Sequence, residues 1–309
     1  KNRSSGSLWH QLQDAVRGAG KNLYSNNTNA EADAAGAALT SFDSDGFTIG
    51  TGNGVNGSGN NIVSWNWKAA NSSGSSNSDG SITSTVSANT TAGFSIVTYT
   101  GTGSAASFGH GLSTPDVVLI KDRTDNGNEW YFHTTAIDGS EDYLRLQSTA
   151  SKNDASSGYS IGASAFNLGG GGTWVNVSSK NYVAYCFKEV KGFSKFGSYK
   201  GNGNANGTTI YTGFKPAFVL IKGSVSGDGN AAQSWELYDN KRIGHNPNNY
   251  TLVPNTTAVD SDGDRIDILS TGFKIRINSD GVNDNNSTYF YMAFGQSLVG
   301  SNNIPCTAR

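Results

Sequence analysis

Residues 180–189 read KNYVAYCFKE, and two other stretches, 60–69 (NNIVSWNWKA) and 287–296 (STYFYMAFGQ), are built the same way. Each follows a turn rich in Gly, Asn and Ser and then runs through aromatic and aliphatic residues. That pattern reads as a long strand buried for most of its length. Three copies of one element imply an internally repeated chain.

Working outward from these strands extends the repeat. GFSIVTYTGTG (93–103) resembles GFSKFGSYKGNG (192–203), and each is followed by a glycine (Gly111, Gly213), a proline (Pro115, Pro216) and an apolar run, VVLIK ending at Lys121 and FVLIK ending at Lys222. Two full modules follow, 93–190 and 191–297. An offset of 120 residues carries Lys1 onto Lys121 and Lys68 onto Lys188, so residues 1–68 are the back portion of a third module. Its opening strands, the counterparts of Phe94 to Ile120, are absent. Residues 69–92 form a Ser-rich linker whose stretch SITSTVSAN (81–89) alternates and is suited to an edge strand on the second module. Residues 298–309 are a C-terminal tail.

The turn chemistry sets the fold class. Forty glycines cluster with Asn and Ser, which supply the positive φ angles of tight turns, while Thr, Val and Tyr suit pleated strands. The expectation is an all-β chain of tandem antiparallel β-sandwich modules, jelly-roll or lectin-like, the first lacking its opening strands. SLWHQLQDAVRG (7–18) has helical spacing at Leu8, Leu12 and Val16, but its alignment with EWYFHTTAIDG and SWELYDNKRIG favours a strand followed by a turn. NAEADAAGAAL (29–39) is the remaining short helix candidate. The aligned Trp9, Trp130 and Trp235 read as core or inter-module packing residues, and Trp65 and Trp67 as structural.

The missing strands would bury about six large side chains at roughly 1.5–3 kcal/mol each, on the order of 10 kcal/mol, which is comparable to the whole stability of a domain. Residues 1–68 are therefore not expected to fold with an open edge. Either the chain is an excerpt of a longer polypeptide, or another segment or subunit fills the gap by strand addition.

A formal net charge of -2 with 15% charged residues excludes nucleic-acid binding driven by phosphate neutralisation. No apolar run approaches the roughly 20 residues that cross a bilayer, so no membrane insertion is expected. Cys186 and Cys306 read as a buried free thiol and an exposed tail thiol, with a disulfide between them the alternative.

In GSITSTVSANTTAGFSIVTYTGTG, GHGLSTPDVVLIKDR, YVAYCFKEVKGFSKFGSYKGNG, YTGFKPAFVLIK, YMAFGQ and the closing TAR, the chain resembles repeat modules of uncharacterised tail-fibre or virion-surface proteins of marine bacteriophages. The resemblance spans nearly the whole chain and carries no catalytic residues with it. It implies a virion protein, an oligomeric adhesin or fibre segment that associates with copies of itself or with other virion proteins.

Enzyme signatures are absent from the sequence. His10, His110, His133 and His245 lack a zinc-site or hydrolase motif around them, and the glycine-rich GNGNANG and GTGNGVNGSG lack the Gly-Lys-Ser/Thr ending of a phosphate loop. Asp138, Glu141, Asp142, Glu236 and Asp239 are glycosidase candidates by residue type only. No cofactor is expected apart from calcium, for which Asp260, Asp262 and Asp264 in VDSDGDRID have alternate spacing, with Asp43 and Asp45 a lesser instance. Asp-Gly is equally a turn signal. For host-surface glycan, Trp174 and Asn176 in GGGGTWVNVSS stand out: an aromatic for the sugar's C–H face beside an amide for its hydroxyls, in a stretch with no evident counterpart in the other modules. The expected function is a non-enzymatic virion adhesin. A purely structural fibre or capsid-decoration module is the alternative, with a glycan hydrolase behind both.

Overall fold

The computed structural model describes residues 1–70, 72–155, 158–170, 174–227, 233–242, 246 and 250–295. The chain is nearly all β and its sheets are antiparallel. In the second module Val117–Asp122 lies between Trp130–Thr134 and Asn181–Phe187, and Phe94–Thr100 pairs on the far side of Asn181–Phe187. Ser84–Asn89 and Ser75–Asn77, from the linker, extend that sheet at its edge. The third module repeats the arrangement with Pro216–Val225 between Trp235–Asp239 and Thr288–Gly295, flanked by Ser194–Lys200. Each main sheet is faced by a three-stranded one, Ser160–Ile161, Ala165–Leu168 and Ala106–Gly109 in the second module, and Thr209–Tyr211, Gly272–Ile275 and Ile266–Leu269 in the third.

Strand alternation shows what the main sheets cover. Along Asn181–Phe187, residues Tyr182, Ala184 and Cys186 enter the sandwich core of their own module. Val183, Tyr185 and Phe187 enter a different cluster. Thr288–Gly295 divides in the same way, Tyr289, Tyr291 and Ala293 inward to its own module and Phe290, Met292 and Phe294 to the shared cluster. That cluster also takes Leu23, with Val63, Trp65 and Trp67 packed on it. The three parts of the chain therefore pack around one central core. Trp67 is set edge-on to Phe187, Phe218 and Phe294, at centroid distances of 6.0, 5.3 and 5.5 Å.

Hydrogen bonds between the parts close into a ring. The lysine ending each VLIK-type strand reaches a threonine carbonyl of the preceding part: Lys121 Nζ to Thr28 at 3.5 Å, Lys222 Nζ to Thr149 at 2.8 Å and Lys1 Nζ to Thr257 at 3.0 Å. The tryptophans do the same one turn away, Trp130 Nε1 donating to the Tyr24 carbonyl and Trp235 Nε1 to the Arg145 carbonyl. Third and first parts are tied by Ser25 Oγ donating to Pro254 O and by the Arg3–Asp260 ion pair at 2.6 Å.

These bonds also correct the alignment. The backbone N–H of His10, Trp130 and Trp235 donates to Asn26, Gln147 and Asn255 respectively, so His10, not Trp9, is the counterpart of the two tryptophans. Trp9 is 44% exposed, and His10 is buried. SLWHQLQDAVRG holds the short strand Gln11–Leu12 and then a turn, as the alignment favoured. In that turn Asp14 accepts the N–H groups of Val16 and Arg17 and pairs with the Arg17 guanidinium, just as Asp239 accepts Lys241 and Arg242 and pairs with Arg242. Residues 29–39 are not helical; they carry the strand Ala32–Asp33, a turn and the start of Leu39–Phe42.

The first part carries the elements that follow Lys121 in the second module. Its hairpin Leu39–Phe42/Phe47–Ile49 and its three short strands Gln11–Leu12, Lys21–Tyr24 and Ala32–Asp33 are present. Residues 64–69 lie outside the strand ladders, with the Lys68 carbonyl accepting Asn89 Nδ2. Cys186 is a buried free thiol in the second sandwich core, and burial pushes its pKa up to about 12. Cys306 and the tail lie outside the described residues.

A shared core predicts a single cooperative unfolding transition in calorimetry. Trp67→Ala should lower stability by about 3 kcal/mol, while Trp9→Ala should cost less than about 1 kcal/mol; equal losses in urea unfolding would refute a shared centre. Lys222 is fully buried, and burial brings its ammonium down to about 7. The unfolded chain then holds a proton that the fold has released between pH 7 and about 10.5, so this residue makes stability rise with pH across that window. Urea unfolding at pH 7 and 9.5 should show the wild type gaining on Lys222→Met as pH rises; a constant gap would contradict it.

Candidate functional site

At one end of the second module, Val175 and Asn176 turn into the sandwich while Trp174 stands out, 60% exposed. Asn176 ties this end to the adjoining 102–104 loop. Its Oδ1 accepts the Thr102 N–H at 2.8 Å, its Nδ2 donates to Ser104 O at 2.6 Å, and its carbonyl accepts the Gly103 N–H. Tyr99 Oη closes the same end by donating to Val175 O. Asn176 is thus a buried staple, not an exposed ligand group.

Asn176 also has a counterpart. Asn283 is buried, takes the Asn202 N–H and donates to Asn204 O, while Tyr199 Oη donates to Val282 O. The dipeptide Val-Asn stands seven residues before the main strand's first inward residue in all three parts: Val55-Asn56 before Ile62, Val175-Asn176 before Tyr182, Val282-Asn283 before Tyr289. Only Trp174 departs from the pattern, since Gly54 and Gly281 hold its place. At Gly281 a Cβ would collide with the Glu236 carboxylate. Trp174 is therefore specific to the second module, with the exposed Thr102, Ser104 and Ser178 on the loops around its neighbour. A second isolated aromatic, Tyr211, is 72% exposed at the end of Thr209–Tyr211 in the third module.

Four of the five carboxylates singled out by residue type are held by cations of the fold, and Glu141 is not. Lys152 Nζ contacts Asp138 at 2.7 Å, Asp142 at 2.7 Å and Asp154 at 2.8 Å. Lys152 and Ser140 hold Asp138 below the usual carboxylate range, whereas burial raises Asp142 despite the lysine. Asp239 is paired with Arg242 at 2.7 Å, and Glu236 with Arg265 at 2.9 Å and the Tyr238 hydroxyl. Burial dominates at Glu236 and raises its pKa. Glu141 is pushed up to about 7 by burial; its Oε2 accepts the Ile161 N–H and its Oε1 lies 3.8 Å from His133 Nδ1. His133 is itself lowered to about 3 by burial. A shallow depression beside Gly223, Gln233 and Tyr289 has a volume of about 10 Å³, room for about one water, and is lined by one carboxylate, Asp280, where a glycosidase needs two.

Asp260, Asp262 and Asp264 do not converge. Asp260 accepts Arg3 Nε and lies 3.7 Å from Arg242, which neutralises it, while Asp262 is exposed on the short strand Ser261–Asp262. Asp264 sits in a turn with φ 41°. Among the described residues no group of three His, Cys, Asp or Glu side chains could hold a metal ion. Asp43 accepts the Thr48 hydroxyl in an exposed hairpin turn. His110 is structural, its Nδ1 accepting the Leu112 N–H and its Nε2 facing Gly162 O at 3.3 Å. His245 lies outside the described residues.

Fold and surface together define an all-β protein whose charged groups are largely engaged within the scaffold and whose distinctive residue, Trp174, is carried on a stapled loop. The chain belongs to the family described as a domain of unknown function, DUF7483, which matches residues 1–297. Neither a curated protein nor a solved structure matches it.

Asn176→Ala should cost about 2 kcal/mol by stranding the Thr102 N–H and Ser104 carbonyl, and Asn283→Ala a similar amount, in chemical unfolding. Trp174→Ala should leave stability within about 0.5 kcal/mol. A Trp174 loss as large as that of Asn176 would show that its ring packs in the fold.

Proposed function

We propose that this is a non-enzymatic virion-surface protein of tail-fibre type, whose second-module loop binds host-surface glycan through Trp174 in an oligomeric array. The observation that carries the binding reading is a 60% exposed indole on a loop that Asn176 fixes from below. A preordered aromatic loses little freedom on contact, and its face suits the C–H surface of a sugar. The exposed hydroxyls of Thr102 and Ser104 supply hydrogen-bonding partners on the adjoining loop. The virion setting is supported by the resemblance of the repeat motifs to phage tail-fibre modules. One aromatic platform gives weak binding, so the reading includes avidity from many copies.

The non-enzymatic reading is supported by the pairing of four of the candidate acids within the scaffold, Asp138 and Asp142 on Lys152 and Asp239 and Glu236 on arginines, while the fifth, Glu141, is buried and accepts the Ile161 N–H. The structural alternative, a spacer or decoration module, makes the same fold serve without ligand.

On a glycan array, protein multimerised on beads should bind a defined subset of glycans, and Trp174→Ala should abolish that signal with the melting temperature unchanged. Binding that survives Trp174→Ala would displace the site; no binding by the wild type at any glycan would favour the structural alternative.

A further inference from the structure

The second and third modules differ along one side. In the second, the linker closes the side between Phe94–Thr100 and Ala106–Gly109: Ser84–Asn89 pairs with the first strand, and Ile82 bridges to Phe108 on the other. The third module has the counterparts of both strands, Ser194–Lys200 and Thr209–Tyr211, but residues 188–193 lead into it from Phe187 without a linker strand. Ser194–Lys200 is therefore the outermost strand of its sheet among the described residues. Tyr211 fills part of the space. A Cβ added at Gly111 would meet Val86 and Ala88 of the linker at 2.8 and 3.0 Å, whereas one at the equivalent Gly213 would meet the Tyr211 ring at 3.8 Å. That side chain remains 72% exposed.

The ladder shows which backbone groups face outward. Gly295 N donates to Phe193 O and Gly201 N to Ser287 O, so the odd-numbered residues between them bond to Thr288–Gly295 and the even-numbered ones point away. One outward group is taken near each end, Ser194 N by Val190 O and Lys200 O by Thr208 Oγ1. Between them Phe196 and Ser198 have no outward backbone partner among the described residues. Their counterparts Ile96 and Thr98 pair with Ser87 and Thr85 of the linker. The strand has no proline and no register shift, and Lys195 is held by Glu189 at 2.9 Å, so little blunts this edge against pairing.

We propose that this edge is a self-association surface, at which two copies of the chain pair their Ser194–Lys200 strands antiparallel about a two-fold axis through Gly197. The placing of the free groups favours a second copy as the occupant. Phe196 and Ser198 stand one residue to either side of Gly197, so Phe196 of each copy exchanges both hydrogen bonds with Ser198 of the other, and the contact closes on itself. The two Gly197 residues meet on the axis, where no side chains crowd. Lys195 falls opposite Tyr199 and Lys200 opposite Ser194, so no charge is set against its like. Two four-stranded sheets become one across the axis. The surface lies in the third module, apart from Trp174, and does not depend on the glycan reading.

Ser198→Pro tests the pairing, because proline removes an outward N–H and leaves the ladder to Thr288–Gly295 in place. Ser198→Ala controls for the hydrogen bond from Ser198 Oγ to Ile137 O. In sedimentation equilibrium between about 1 μM and about 1 mM, the unaltered chain and Ser198→Ala should pass from monomer to dimer, while Ser198→Pro stays monomeric. Over the same range the amide exchange of Phe196 and Ser198 in the unaltered chain should slow by at least about tenfold, a readout that stands even where Ser198→Pro fails to fold. An unaltered chain that is monomeric at about 1 mM, a trimer or larger species in place of the dimer, or a dimer that survives Ser198→Pro overturns the proposal. So does protection of the two amides that is the same at every concentration, because a segment of the same chain would then be the occupant.

Discussion

A strand that is apolar on both faces has to be covered twice, and the rest of this structure follows from how that is done. In Asn181–Phe187 and Thr288–Gly295 the outer faces are covered by each module's own second sheet, and the inner faces by the other parts of the chain. A single sandwich leaves the inner face wet. Three inner faces set around one centre leave none, and the lysine-to-carbonyl and indole-to-carbonyl bonds fix how far each part is turned relative to the next.

The same geometry explains where the charges went. A buried ammonium must find oxygen atoms, and at Lys222 two backbone carbonyls, those of Thr149 and Gln233, provide them in place of a carboxylate. Without a counter-charge, burial lowers the proton affinity of that lysine. The acids are paired elsewhere, three of them around Lys152 and others with Arg17, Arg242 and Arg265. A chain with few charged residues thus has few left for its surface chemistry.

Much of this was legible in the sequence. The aromatic strands and the turn-rich composition point to the antiparallel all-β sandwich-type fold that the structure has. The errors have physical causes. Aligning Trp9 with Trp130 follows residue identity against the 120-residue offset, which carries His10 onto Trp130, and the side-chain amides of Asn26, Gln147 and Asn255 that accept the backbone N–H at this position agree with the offset. Asn176 looked like a surface amide because its counterparts are two-residue matches amid variable turns; the signal was Val-Asn at a fixed distance before each main strand. The ring itself was invisible, since its acceptors are backbone carbonyls, which any residue supplies. The alternate aspartates 260, 262 and 264 do not converge because Arg3, far away in sequence, takes Asp260.

The lysine ring has a consequence for assembly. Linear repeat proteins end in a free stacking face and can lengthen by adding units. Here the third part's Thr257 carbonyl receives Lys1 of the first, so the three parts meet end to end and each lysine contact of the series has its counterpart in the other two.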